Sequence, residues 1–275
     1  MQIRQVLQQA SSRLLHSDTP TLDAEILLAQ VLNKSREFLL TWPESKLDQA
    51  QLQAFEQLLE QRASGQPIAY LTGKQSFWDF ELKVNADVLI PRPETELLVE
   101  LALELLPENP IELADLGTGS GAIALALAKE RPQWQITATD YSADALNVAR
   151  SNALDLHLSN LTFIQGDWCK AISGRQLDAI VSNPPYVDKN DSHISQGDLR
   201  FEPLVALAAD DQGMADLKVI ARQARDLLKP GALILLEHGY QQGPAVRQVL
   251  EQSGYNDIQT HKDLAGLDRI SQARK

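Results

Sequence analysis

The sequence predicts an α/β protein: a doubly wound, mainly parallel sheet preceded by a small N-terminal helical bundle. Three observations carry this expectation. Short apolar stripes at helical spacing fill the first part of the chain. From residue 111 onward, strand-like runs alternate with helical ones. A glycine-rich loop, Asp115-Leu116-Gly117-Thr118-Gly119-Ser120-Gly121, follows the first of those runs and opens a helix. A chain of 275 residues is long enough for one large domain and a small one.

Taken in order, Ile3, Val6, Leu7, Ala10 and Leu14 fall on one helical face. Leu22, Ile26, Ala29 and Val31-Leu32 form a second stripe, entered through Thr19-Pro20. Leu52, Phe55, Leu58 and Leu59 form another, closed by Gly65 and Pro67. Narrow stripes of this kind are buried by packing helix on helix, so residues 1–73 are expected to be a bundle. Residues 74–92 change character. Phe77–Val84 partly alternates apolar and polar side chains, and Val88-Leu89-Ile90 is a candidate partner across an Asn85-Ala86-Asp87 turn, giving a β-hairpin linker. Pro91 and Pro93 stiffen the entry to a helix over about 94–106, which begins the larger domain, 93–275. Its strand candidates are Ile111–Leu116, Gln135–Thr139, Leu161–Gln165, Leu177–Ser182 and Ala232–Glu237. Helices are expected between them, among others over Gly121–Glu130, Ala143–Leu154 and Met214–Leu228. Right-handed crossovers then leave a doubly wound sheet as the leading architecture.

Composition narrows the function classes. No run of eighteen apolar residues is present, so no membrane span is expected. The amphipathic start, Met1-Gln2-Ile3-Arg4-Gln5, is unlike a secretory signal, and a single cysteine, Cys169, permits neither an internal disulfide nor a thiol metal site. A cytoplasmic protein without a metal fits best. The formal charge of −12 is uneven: 8 basic and 11 acidic residues through Ile90, then 17 basic and 26 acidic. Phosphate backbones are bound by clustered Lys and Arg. No such stripe is visible, so direct nucleic-acid binding is not expected.

The glycine loop is the first motif with chemistry in it. Glycines there allow a sharp turn and close approach of a ligand to helix N–H groups. Asp140, at the end of the next strand, can accept hydrogen bonds from ribose hydroxyls. Both features suit NAD and S-adenosylmethionine alike, because each carries adenosine. The competing reading of Asp140 is a helix cap.

The second motif, Asn183-Pro184-Pro185-Tyr186, separates the two cofactors. It closes the fourth strand of the domain, which a doubly wound sheet places beside the first. The two loops should therefore face each other at the switch point, where ligands bind. Two prolines remove two N–H donors and leave carbonyls exposed. The Asn183 oxygen and the Pro184 carbonyl could together accept both hydrogens of a planar NH₂ group, with Tyr186 as a flat neighbour. An amide nitrogen is a poor nucleophile because resonance withdraws its lone pair. Aligning it with an electrophilic methyl can contribute up to roughly 7–11 kcal/mol through orientation. No general base is required, since an alkylated amide nitrogen releases its proton readily. Hydride transfer has no use for such an acceptor loop.

With Ile90-Pro91-Arg92-Pro93-Glu94-Thr95-Glu96, Phe201-Glu202-Pro203 and the helical front domain, these two loops give the chain a resemblance to the peptide chain release factor N5-glutamine methyltransferases, the PrmC/HemK family. The resemblance runs from Asp23-Ala24-Glu25 to Glu237-His238-Gly239. It implies a Rossmann-like class I methyltransferase fold and methyl transfer from S-adenosyl-L-methionine, leaving S-adenosyl-L-homocysteine. The implied acceptor is the side-chain amide of the glutamine in the Gly-Gly-Gln motif of class 1 release factors. It also implies that Gly117, Thr118, Gly119, Ser120, Gly121, Asp140, Trp168 and Asn183 contact the cofactor. Asn183, Pro184, Pro185 and Tyr186 would hold the glutamine, with Asn183, Pro184 and Tyr186 the catalytic contacts, and the bundle would dock the substrate. Arg92, Glu94 and Glu96 stay unassigned, since a linker salt bridge accounts for them equally well.

Other residues invite blander readings. His238 follows a buried-looking strand and is expected to be structural; His16, His157, His193 and His261 are scattered; Cys169 is expected to pack. Asp188, Asp191 and Asp210-Asp211 read as solvated loop charges. The main rival function is a nucleic-acid methyltransferase acting on an exocyclic amine, adenine N6 or guanine N2, which would hold a flipped base in the same loop. A non-catalytic subunit that keeps the fold would have no need of the Asn183–Tyr186 loop, and an NAD oxidoreductase lacks a hydride-transfer acid.

Overall fold

The computed structural model describes all of residues 1–275 and divides into two compact units. The smaller comprises Met1–Lys74 together with Gln196–Phe201; the larger comprises Gln75–Ser195 and Glu202–Lys275. The return of a six-residue segment to the first unit has no counterpart in the helical stripes read from the sequence.

Five helices build the smaller unit: α1 (Ile3–Ser11), α2 (Pro20–Leu32), α3 (Arg36–Thr41), α4 (Gln49–Ala63) and α5 (Ile68–Thr72). Its core gathers Ile3, Val6, Ala10 and Leu14 with Ala24, Leu27, Leu28, Leu39, Phe55 and Leu59. Each large apolar side chain removed from water contributes about 1.5–3 kcal/mol, which is how helices this short persist. Asp48 opens α4 with a capping box, accepting from the Gln51 amide at 2.8 Å. Beneath the core a buried charge is fully partnered: Asp23 accepts from Ser17 Oγ at 2.7 Å, Thr19 Oγ1 at 3.1 Å and Arg62 Nε at 2.7 Å. Arg62 also reaches Asp198 at 3.1 Å, which ties the Gln196–Phe201 segment to this unit.

After the last of these helices β1 (Lys74–Phe77) and β2 (Phe80–Lys83) form a hairpin. Its turn lies at Trp78-Asp79, not at Asn85–Asp87 as expected. Trp78 takes φ 57°, unusual for an aromatic residue, and is held from outside: its N–H donates to Glu96 Oε1 at 2.8 Å and its indole to Glu130 Oε1 at 2.8 Å. The Asn85 side chain forms its own tight turn by accepting from the Asp87 amide at 3.0 Å, which explains the misleading signal.

The main sheet has seven strands in the order β10-β11-β9-β6-β3-β4-β5, where β3 is Glu112–Leu116, β4 Gln135–Asp140, β5 Leu161–Gln165 and β6 Leu177–Ser182. The remaining three are β9 Leu228–Glu237, β10 Asn256–Lys262 and β11 Asp268–Arg274. Two-residue strands β7 (Val187–Asp188) and β8 (Ala208–Ala209) pair separately. From β9 to β5 the strands are parallel, while β11 runs antiparallel to both its neighbours. Helices α6 (Glu96–Leu105), α7 (Ala122–Glu130) and α8 (Ala143–Asp155), with later helices at Ala215–Leu227 and Gly243–Gln252, accompany the strands. The chain winds outward from β3 through β4 to β5, then returns to β6 on the other side of β3. That reversal is the switch point, and the β3–β6 register pairs Leu116 with Ser182. Ser182 Oγ adds a 2.6 Å bond to the Leu116 carbonyl. Gly117 and Asn183, the next residues of each strand, thus emerge side by side.

Candidate active site

Beyond the carboxyl ends of these strands lies a cleft of about 250 Å³. Its lining includes Gly117, Gly119, Asp140, Trp168, Asn183 and Pro185. Thr118, Ser120, Gly121, Pro184 and Tyr186 are not among the lining residues. Thr118 and Ser120 are buried, and Thr118 Oγ1 donates to Asp115 Oδ2 at 2.6 Å. The Thr118 side chain holds the loop from within, and the Ser120 carbonyl accepts from Asn152 Nδ2 at 2.9 Å.

On one side of the cleft the glycine loop turns into α7. Gly117 has φ 75°, and a Cβ there would lie 3.0 Å from the Trp168 ring, so the glycine lets the indole lie against the backbone. Trp168 packs on the core beneath the cleft as well as lining it, and its Nε1 donates to Asp216 Oδ1 at 3.3 Å. At Gly119 no atom lies within 4 Å of the position a Cβ would take, so that face is open. Asp140 spans the loop: Oδ2 accepts from Gly119 N and Oδ1 from Ser142 N, each at 2.9 Å. The cap of α8 is Ser142, whose Oγ accepts from Ala145 N at 3.1 Å, so capping does not account for Asp140. Burial raises the pKa of Asp140, and it pushes Asp115 up to about 7.

On the other side the Asn183–Tyr186 loop is held by side chains the sequence left unassigned. Asn183 Nδ2 donates to Thr95 Oγ1 at 3.2 Å, which commits the amide nitrogen and leaves the oxygen available. The Tyr186 hydroxyl donates to Glu237 Oε1 at 3.2 Å; burial, then Glu237, raise the phenol pKa, so it remains a donor. Glu237 is itself buried and pushed up to about 7 by desolvation. Gln242 Nε2 donates to the Tyr186 carbonyl at 3.0 Å and to the Gln212 carbonyl at 3.1 Å. Gly213 comes so close that a Cβ would sit 2.0 Å from the Tyr186 carbonyl oxygen. Arg92 forms an ion pair with buried Glu202, whose other oxygen accepts from Ile90 N at 3.0 Å; the Ile90–Glu96 motif and Glu202 therefore meet at one carboxylate. Position at a strand's carboxyl end could have flagged Glu237; nothing in the sequence singles out Gln242.

The blander residues are settled by their surroundings. His238 is fully buried between the Gly239 carbonyl and Ser271 Oγ, both at 2.9 Å, and burial lowers its pKa. Burial raises the Cys169 thiol to about 12, which makes it inert. No group of three His, Cys, Asp or Glu is placed to hold a metal, and no helix is long and apolar enough to cross a membrane.

Comparison with known proteins agrees with this geometry. Residues 5–73 match the PrmC N-terminal domain and residues 94–199 the methyltransferase small domain. A release factor glutamine methyltransferase from Escherichia coli is 48% identical over 274 residues, covering 100% of this chain and 99% of that protein. This chain belongs to the release factor glutamine methyltransferases. Relatives of the same name include one from Vibrio cholerae, 49% identical over 93% of this chain and 90% of its own, and one from Coxiella burnetii, 47% identical over 94% and 93%. Among solved structures, a methyltransferase from Pyrococcus furiosus superposes with a TM-score of 0.53 at 17% identity, over 78% of this chain and 95% of that one. A ribosomal protein L11 methylase from Lactobacillus delbrueckii gives 0.51 at 20% identity, over 67% and 80%. These two likenesses concern the fold.

Proposed function

We propose that this chain transfers a methyl group from S-adenosylmethionine to the side-chain amide nitrogen, N5, of the glutamine in the Gly-Gly-Gln motif of class 1 peptide chain release factors, in the cytoplasm. The observation that carries the reading is the Leu116–Ser182 register, which sets a backbone-donor loop beside an acceptor loop at the mouth of one cleft. The residues present fit an adenosine-bearing cofactor: Gly119 is open to the cleft, and Asp140 and Trp168 line it. Gly117, Gly119, Asp140, Trp168 and Asn183 would hold it, with Thr118, Ser120 and Gly121 shaping the loop. Bound there, S-adenosylmethionine supplies an electrophilic methyl group.

The chain's own residues supply positioning. Asn183 Oδ1 and the Pro184 carbonyl accept the two hydrogens of the substrate amide, orienting its nitrogen lone pair. Pro184 and Pro185 keep that backbone from donating elsewhere. Tyr186, neutral and anchored on Glu237, keeps the loop's far end in place. The proton lost from the methylated nitrogen needs no dedicated base.

The decisive experiment is mass spectrometry of an intact release factor after incubation with S-adenosylmethionine. A single methyl on the Gly-Gly-Gln glutamine is expected. Methylation of DNA or RNA with none on protein would favour the exocyclic-amine reading and overturn this one. Glutamine amides are common, so selectivity needs a surface beyond the loop, and we assign docking to the helical unit. Removing residues 1–73 should preserve S-adenosylmethionine binding, slow methylation of the intact factor strongly, and spare any weak activity on a Gly-Gly-Gln peptide. Equal rates on the intact factor would exclude the docking role.

A further inference from the structure

The acceptor loop works only if Asn183 presents its oxygen, not its NH₂, to the substrate. The two ends of a primary amide are nearly equal in size, so shape alone does not choose between them. Hydrogen-bond direction does. Asn183 Nδ2 can only donate, so the Thr95 hydroxyl must accept from it at 3.2 Å. Thr95 is buried, and its own hydrogen needs an acceptor. The Glu237 carboxyl supplies the free acceptor: its Oε2 is buried with no hydrogen-bond partner of its own, and the Thr95 hydroxyl is among the groups that act on that carboxyl. The first oxygen, Oε1, accepts from Tyr186 at 3.2 Å.

We propose that Glu237, acting through Thr95, is the positioning residue that fixes the amide orientation of Asn183, and that by also anchoring Tyr186 it sets both ends of the acceptor loop. The inference rests on the methyl-transfer reading for its consequence, though its geometry stands independently. Ionised Glu237, 1% exposed, has only lone pairs to offer and takes the Thr95 hydrogen; Thr95, so oriented, offers only a lone pair; Asn183 must answer with its NH₂ and turn its oxygen to the cleft. Arg269, whose guanidinium is held by Asp263 at 3.0 and 3.2 Å, supplies positive charge near Glu237 and Tyr186. Glu94 is the nearby negative group that opposes it.

Glu237→Gln reverses the direction of the chain. Its new NH₂ would donate to Thr95, the threonine hydrogen would turn toward Asn183, and the Asn183 amide would flip to present donors where the substrate also has donors. Thr95→Val, of the same shape, cuts the link without adding a donor. Thr95→Ser keeps it.

The test has two arms. In protein labelled with ¹⁵N asparagine, the Asn183 side-chain signal is assigned by its loss in Asn183→Ala. Glu237→Gln and Thr95→Val should shift it and speed its hydrogen exchange, whereas Thr95→Ser should leave it in place. In the kinetic arm, the first two variants should lower kcat on an intact release factor by roughly 10–100-fold, less than the roughly 10²–10³-fold of removing an oriented contact outright, because the acceptor is misdirected rather than absent. Their affinity for S-adenosylhomocysteine should change far less than the rate, and Thr95→Ser should keep the wild-type rate. Because both act through Asn183, the double variant should lose no more than the worse single one. An unmoved Asn183 signal in Thr95→Val would overturn the proposal, as would losses that multiply or fall equally on S-adenosylhomocysteine binding. Should Glu237→Gln fail to fold, the two threonine variants decide. A wild-type protein that leaves the release factor unmethylated would refute the functional reading, and the resonance arm would still decide the positioning.

Discussion

Gly117–Gly121 carries positive φ at three of its five residues, while Asn183–Tyr186, its neighbour across the β3–β6 pair, has none. The first loop is shaped by backbone freedom and offers N–H groups; Asp140 links its middle to the start of α8. The second has two prolines, offers oxygens, and is gripped from outside by Thr95, Glu237 and Gln242. A loop that binds the same way throughout a reaction needs only to fit. A loop that must aim a weak nucleophile needs direction, and direction comes from buried side chains of fixed polarity. The comparison teaches that the first loop should govern affinity and the second should govern rate.

The largest expected effect comes from removing the acceptor itself. Asn183→Ala should lower the single-turnover rate by about 10²–10³-fold, as loss of one oriented polar contact does elsewhere, with the fold intact. Rates near wild type would erase the distinction between the loops. Asp140→Ala probes the opposite side. A contact equal in ground and transition states lowers binding without slowing chemistry, so the affinity for S-adenosylhomocysteine should drop by roughly ten-fold or more while kcat at saturation changes little. Isothermal titration would reveal it, and an unchanged dissociation constant would leave Asp140 a purely local brace. Gly117→Ala should act more gently: a methyl at φ 75°, 3.0 Å from Trp168, costs about 1 kcal/mol and displaces the indole, weakening cofactor binding several-fold.

The remaining prediction concerns stability, and it treats the loops alike. Each leans on one buried carboxyl, Asp115 or Glu237, whose pKa is raised from 3.8 or 4.5 to about 7 by burial. Between those values the folded chain keeps protons that the unfolded chain has released. Stability therefore falls as pH rises from about 4 to 7 and levels off above. Melting temperatures should decline across that window, and Asp115→Asn should flatten the decline. A melting curve insensitive to pH in wild type would contradict the raised values.

What the sequence revealed of this arrangement follows from what leaves an apolar trace. The five central strands and the helices between them are stripes and runs of Leu, Ile, Val and Ala, and they lie where periodicity puts them. The antiparallel pair β10 and β11 went unread because Asn256–Lys262 and Asp268–Arg274 are mostly polar; only Ile270 and Ala273 are fully buried apolar side chains there. Strand β9 starts four residues before its apolar core, across Lys229-Pro230-Gly231, where the register with β6 shifts. At the site, glycines and prolines announce both loops, since they restrict or free the backbone visibly. Thr95 and Glu202 stand inside motifs and Glu237 at a strand's end, yet nothing local tells what they hold, and Gln242 announces nothing. Their work depends on partners tens of residues away, and no local pattern encodes a hydrogen bond of that reach.

That reach has a consequence for how the protein comes into being. Asn183 is tied to a residue 88 positions earlier, Tyr186 to one 51 positions later, and Arg92 to one 110 positions later. Contacts so distant along the chain form late and slow folding, because long loops must close before they are rewarded. On the ribosome, the acceptor loop emerges well before Glu237, and Glu237 emerges before Arg269. A nascent chain can thus complete its bundle, its glycine loop and strands β3 to β6 while the pocket stays unaimed. Methyl transfer at full rate is then expected only once nearly the whole polypeptide has been made.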